Sequence, residues 1–172
     1  MNLRPAEMTD AADREIVIVR VFAAPRGLVF KAWTDPELLT HWFAPNGCSL
    51  SRCTIDLRIG GIWHYCMHLA DGRDIWGIGV FREIVIPERI VYTDSFADQD
   101  GNRVPPTHYG ISPSHPAETL VTVTFADQDS QTTLTLRHAI SMSVKERDET
   151  QQGWSQMMDR LGDLLVSLKG RQ

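Results

Sequence analysis

Residues 143–168 read SVKERDETQQGWSQMMDRLGDLLVSL. Ser143 followed three positions later by Glu146 is a capping box, which satisfies two of the free backbone donors at a helix start. Beyond it Trp154, Met157, Met158, Leu161, Leu165 and Leu168 recur at 3.6-residue spacing and draw one apolar stripe along four turns. The stretch predicts a long amphipathic helix whose stripe must be covered by something else in the chain. Gly153 and Gly162 sit inside it, each costing about 1 kcal/mol relative to alanine, and predict places where another group approaches closely.

Working outward, the pattern upstream of Ser143 changes from helical to alternating. The runs TLVTVTF and TTLTLRH predict strands over 118–126 and 131–138, joined by the polar turn Asp127-Gln128-Asp129-Ser130. Before them, residues 97–117 hold four prolines and two glycines, which predicts a long irregular loop of the kind that often forms a functional lid. Strands are expected at 74–86 and 89–96 across Pro87-Glu88, and at 62–69, which ends in the hairpin turn Asp71-Gly72. In that last strand Trp63, Tyr65, Met67 and Leu69 share one face and Ile62, His64, Cys66 and His68 the other. A further strand at 51–58 ends at Gly60-Gly61, and the β-branched run EIVIVRVF predicts a first strand at 15–22. Between them, Pro25 and the sequence Asp35-Pro36-Glu37 predict two short helices in tandem, over 25–34 and 36–42.

The resulting order is one strand, two short helices, six further antiparallel strands and a long helix, an α+β layout. A seven-stranded sheet curls as strands are added, and one helix about 10–12 Å across covers only a strip of its hollow side. Large side chains must fill the remainder or leave a cavity. The candidates to line it are Trp42, Phe43, Trp63, Tyr65, Met67, Trp76, Tyr92, Trp154, Met157, Met158 and Leu161. Asp94 joins them because it shares strand parity with Ile90, Tyr92 and Phe96; an inward carboxylate needs a partner or a proton, so it would orient a polar group of a ligand.

Composition narrows the function. The chain has 172 residues with 17 basic and 22 acidic side chains, a net charge of −5, and 42% hydrophobic residues. That is enough for one domain with its own core. No basic stripe points to nucleic acid, no apolar run approaches the ~20 residues of a membrane span, and the first dozen residues have no apolar segment of a secretory signal. They read as a polar arm, 1–12, ahead of a single domain over 13–170. Cys48, Cys53 and Cys66 are odd in number with no CxxC pair, which fits buried thiols in a reducing cytoplasm. No nucleophile elbow, phosphate loop or zinc signature occurs, so no catalytic residue, cofactor or metal is expected. His64 and His68, four apart on a strand, would lie about 13 Å from each other, too far to share one metal.

Set side by side, APRGLVFKAWTDPELLTHWFAP (24–45), DLRIGGIW (56–63), GVFREIVIPERIVYTDSF (79–96), TLVTVTF (119–125), TTLTL (132–136) and GWSQMMDRL (153–161) resemble the Hsp90-ATPase-activator-homologue branch of the START-like (Bet v 1-like, SRPBCC) superfamily. The resemblance runs from about residue 14 to 168. It implies the helix-grip fold, an antiparallel sheet gripping the C-terminal helix around a hydrophobic cavity. Where family members often show two adjacent tryptophans, this chain has His41-Trp42. Proteins of this kind bind lipids, polyketides and other apolar molecules, some relatives cyclise polyketides, and the eukaryotic namesake stimulates a chaperone ATPase and carries an additional N-terminal domain.

These readings set the expectation of a non-catalytic cytoplasmic binder of a small apolar or aromatic molecule between sheet and terminal helix, with the 97–117 loop as entrance flap. Two alternatives predict different features. A cyclase- or aromatase-like enzyme needs an inward His or Asp with a displaced pKa. A module that dimerises or contacts Hsp90 needs a large exposed apolar patch.

Overall fold

Asp35 sits between two short helices and caps the second: its carboxylate accepts from the Glu37 backbone N–H at 3.0 Å, and Pro36 occupies the first helical position. At the other end of the chain Ser143 Oγ accepts from Glu146 N at 3.2 Å, the expected cap of the long helix. The computed structural model describes residues 15–140 and 143–170, and the arm expected over 1–12 lies outside them. In chain order the elements are β1 (Glu15–Phe22), α1 (Arg26–Thr34), α2 (Pro36–Leu39), β2 (Ser49–Ile55), β3 (Ile62–His68), β4 (Asp74–Val85), β5 (Arg89–Ala97), a 3₁₀ turn (Pro106–Tyr109), β6 (Glu118–Gln128), β7 (Gln131–Ala139) and α3 (Val144–Lys169).

Two elements end three residues before their expected ends, for local reasons. β2 ends at Ile55, not 58, because Arg58 N bonds Asp56 O, Gly61 N bonds Arg58 O, and Gly60 turns at φ +81°. α2 stops after one turn at Leu39, and the chain tightens through His41 N to Leu38 O and Trp42 N to Leu39 O.

All seven strands form one antiparallel sheet in the order β1-β7-β6-β5-β4-β3-β2. Only β1 departs from chain order, so α1 and α2 carry the chain from one edge strand to the other. The register continues one inner face across the sheet: Ile16 lies opposite His138, His138 opposite Val121, Val121 opposite Tyr92 and Tyr92 opposite Phe81. The curved sheet and the α3 helix laid on this face make the α+β helix-grip architecture.

Side chains from all three helices fill the middle of the inner face. Trp33 of α1, fully buried, stacks on Trp154 of α3 at 6.1 Å and meets Trp42 edge-on at 4.8 Å. Phe43 packs on Trp63 at 4.9 Å, and Trp63 on Tyr92 at 5.0 Å. Such offset and edge-on pairs add about 0.5–1.5 kcal/mol each beyond area burial. α3 is fastened to the first edge strand by Arg20, which bonds Asp159 at 2.7 Å, and by Lys169 Nζ on Ala23 O at 2.6 Å. Arg160 fastens it on the other side to the carbonyls of Ala44 and Cys48. The close approaches expected at the two glycines of this helix are not found: a Cβ would stand 3.6 Å from the Phe22 ring at Gly162 and 3.9 Å from Pro45 Cβ at Gly153, both ordinary contacts. Among the described residues no helix is long and apolar enough to cross a membrane.

Candidate functional site: a cleft at the end of the inner face

Beyond Trp154, towards the start of α3, the aromatic filling stops. A cleft of about 270 Å³ opens there between β3, β4, β5, the end of β7 and the last residues of the long loop. Its apolar walls are Met67, Leu69, Ile75, Trp76, Phe96, Pro116, Ala117 and Ile140, and its polar lining includes Tyr65, Asp94, His115, Thr119 and His138.

The polar groups form a row across the inner face. Trp154 Nε1–H donates to His138 Nδ1 at 3.1 Å, and His138 Nε2 lies 2.8 Å from Thr119 Oγ1. An indole nitrogen is a donor only, so Nδ1 must be the acceptor and the ring proton sits on Nε2. His138 therefore donates to Thr119 Oγ1, whose own proton points at the Asp94 carbonyl 3.5 Å away. From the opposite side Tyr65 OH donates to Asp94 Oδ1 at 2.8 Å. Four strands and α3 thus contribute hydrogen bonds that meet at Asp94, on its main-chain carbonyl from Thr119 and on its carboxylate from Tyr65.

Reaching Asp94 from β3 requires Tyr65 to lie across β4. The register places Gly77 directly opposite Tyr65, and a Cβ at that position would stand 2.3 Å from Tyr65 Cζ. Only glycine there lets the ring lie flat and carry its hydroxyl to β5.

Burial displaces the titrations. It pushes the Asp94 carboxyl up to about 6, against the opposing hydrogen bonds from Tyr65 and the Ser95 backbone. It pulls His138 down to about 4, with a smaller contribution from nearby His115, so His138 is neutral at neutral pH. His115 is itself lowered by burial, while Glu146 acts in the other direction. Tyr65 is raised, first by burial and then by the Asp94 charge.

Of the residues the sequence singled out, Tyr65, Met67, Trp76 and Asp94 come together around the cleft. Trp76 borders it from β4, but its ring lies on the other face of the sheet, opposite Cys66 in register and stacked on His64 at 4.9 Å. Trp42, Phe43, Trp63, Tyr92, Trp154, Met157, Met158 and Leu161 are all buried in the packed middle and do not line it. They belong to the inner face, but α1, α2 and the chain after them cover that stretch as well as α3 does. His115, Thr119 and His138 were not singled out. The alternation Leu134, Leu136, His138 in β7 carried the signal for the last, an imidazole in an inward row.

His64 and His68 point to the other face and hold separate partners, the Asp98 carbonyl at 3.0 Å and the Asp74 carboxylate at 2.7 Å. The expected 97–117 loop is anchored at its middle: Tyr109 OH bonds Ala97 O and receives the Trp76 N–H at 3.2 Å, and Arg73 reaches Tyr109 O. Its end, His115 to Ala117, borders the cleft, with His115 5.6 Å from the Phe96 ring.

Comparison with known proteins agrees with this architecture. Solved structures of similar shape include a protein from Nitrosomonas europaea (24% identical, TM-score 0.73, covering 92% of this chain and 98% of that one). One from Chromobacterium violaceum is 26% identical, with a TM-score of 0.71 over 88% of this chain and 96% of that one. The AHSA1 protein of Silicibacter pomeroyi is 20% identical, with a TM-score of 0.69 over 88% and 97%. A search of curated protein sequences finds no match. The family model described as activator of Hsp90 ATPase homolog 1-like protein matches residues 23–166, and the chain belongs to that family.

Proposed function

We propose that the protein binds a small, largely apolar or aromatic molecule in the cleft between the sheet, the start of α3 and the end of the long loop. The observation that carries this reading is the cleft itself: about 270 Å³ with mostly apolar walls and a few convergent polar groups on one side. That is the usual composition of a small-molecule site, in which burial of apolar area supplies affinity and fixed hydrogen-bonding groups supply orientation. A space of this size lies just below the roughly 300–1,000 Å³ of drug-sized ligand pockets, which suits one ring with a short chain. Tyr65, Met67 and Phe96 would contact the apolar body, and Asp94 would orient it.

The test is titration of the protein with indole, naphthalene and 2-phenylethanol, read by tryptophan fluorescence and by NMR shifts of cleft residues. Saturable binding is expected, with shifts centred on residues 65–69, 75, 94–96 and 138. Ile75→Trp, which adds bulk to one wall, is expected to weaken it at least tenfold. Absence of saturable binding, or shifts confined elsewhere, would refute the reading.

A second reading rests on Asp94 alone. A cleft carboxyl raised to about 6 and bonded by Tyr65 has the pKa of a general base near neutrality. This is what a cyclase- or aromatase-like activity would use, and turnover abolished by Asp94→Asn with ligand binding retained would establish it.

A further inference from the structure

The carboxylate at the cleft has hydrogen bonds but no counter-charge. Tyr65 OH, a neutral donor, bonds Oδ1, and among the described residues no Lys, Arg or His forms an ion pair with Asp94. The cleft lining contains no Lys or Arg. Its two imidazoles supply no positive charge either: both ring nitrogens of His138 are engaged in the neutral tautomer, and burial lowers the titration of His115. A half-buried anion beside apolar walls, with no cation of the described residues beside it, is an unfavourable arrangement in the free protein. It becomes favourable when the missing charge arrives with the ligand.

We propose that the ligand of this cleft is an aromatic or apolar amine whose ammonium group pairs with Asp94. This rests on the binding reading above and goes beyond it by assigning the ligand's charge. The ammonium would donate to the carboxylate in a charge-assisted hydrogen bond, roughly twice as strong as a neutral one. Tyr65 and Phe96, which line the same space, offer ring faces that attract a cation, and they also receive the apolar body. An anionic ligand is rejected by the same geometry, because its carboxylate would face Asp94 with no donor of positive charge between them.

The pH dependence follows from the groups around Asp94: Tyr65 from β3, Tyr92 on its own strand, His138 from β7 and His115 from the loop, the last under the influence of Glu146 on α3. Both tyrosines are raised by burial and stay neutral, and His138 titrates only near 4. Protonation of Asp94 near 6 therefore removes the attraction as pH falls. A neutral ligand measured at each pH corrects for any change at His115.

The experiment compares 2-phenylethylamine, 2-phenylethanol and 3-phenylpropanoate by titration calorimetry at pH 7.5, on the wild-type chain and on Asp94→Asn. In the wild type the amine is expected to bind at least about tenfold more tightly than the alcohol, with the propanoate weakest. In Asp94→Asn amine and alcohol are expected within about twofold of each other. Should that variant fail to fold, the wild type at pH 5 replaces it, where the amine's advantage over the alcohol is expected to collapse. Alcohol and amine binding equally in the wild type, or an amine preference that survives Asp94→Asn or pH 5, would overturn the proposal and leave the cleft as a binding site. Failure of all three probes to bind would overturn both.

Discussion

The inner face of the sheet supports two unlike regions a few residues apart. In the middle, three helices converge and aromatic rings fill the space, leaving Trp33 Nε1, Trp63 Nε1 and Tyr92 OH without hydrogen-bond partners among the described residues. At the end, where only the first turns of α3 and the loop reach, the packing opens and the polar groups are linked from Trp154 to Asp94. Tight packing tolerates an unpartnered atom when the rings around it contribute more than it costs; an open cleft keeps polar groups because they hold one another in place. The difference is one of coverage: the middle of the face is filled by rings from three helices, and the end is left open with its polar groups joined to one another.

The largest expected effect tests the packed side. Trp33→Ala removes a fully buried ring that touches Trp42, Phe43, Phe125 and Trp154. A loss of about 3–5 kcal/mol in urea unfolding is expected, and a loss below 1 kcal/mol would mean that this region is not the solid core described.

Asp94→Asn comes next and is expected to stabilise the chain at pH 7.5 by about 1–3 kcal/mol while it removes binding selectivity. Because the carboxyl titrates near 6 in the fold against 3.8 ordinarily, its favourable contribution is complete below about 4 and is lost as pH rises through 6. His138 runs the opposite way: titrating near 4 against 6.5 ordinarily, it favours the fold fully above 6.5 and loses that contribution as pH falls towards 4. The two slopes nearly cancel in the wild type between pH 6 and 4. In Asp94→Asn the His138 slope stands alone, so thermal unfolding should show that variant losing stability over this interval while the wild type stays comparatively flat.

The smallest effect belongs to the cleft wall. Met67→Ala, at a half-buried position beside empty space, should cost under about 1 kcal/mol while changing ligand affinity measurably by fluorescence titration. An effect on unfolding comparable to that of Trp33→Ala would erase the contrast between the two regions.

What could be read beforehand divides along the same line. The strands, the tandem helices and the capped terminal helix follow from local periodicity and capping, and strand parity alone turns Asp94 inward with Tyr92 and Phe96. Parity names a face but not a distance along it, so it could not separate Trp63, in the packed middle, from Met67, at the cleft, although both lie on one side of β3. The coverage that separates them comes from α1 and α2, across the sheet. The role of Gly77 needed the β3–β4 register, a non-local quantity, even though two glycines in one strand already hint at a close approach. The loop is placed by long-range contacts, among them Tyr109, bonded to both β4 and β5, and the Arg103–Glu118 ion pair at 2.8 Å, and no local pattern announces them.

Trp154 belongs to both regions at once, stacked on Trp33 on one side and bonded through its indole N–H to His138 on the other. The chain thereby carries a native chromophore hydrogen-bonded to a residue that lines the cleft. On the proposed reading, occupancy and acidity at the far end of the face are expected to register in the emission of an indole at the centre, with no label attached.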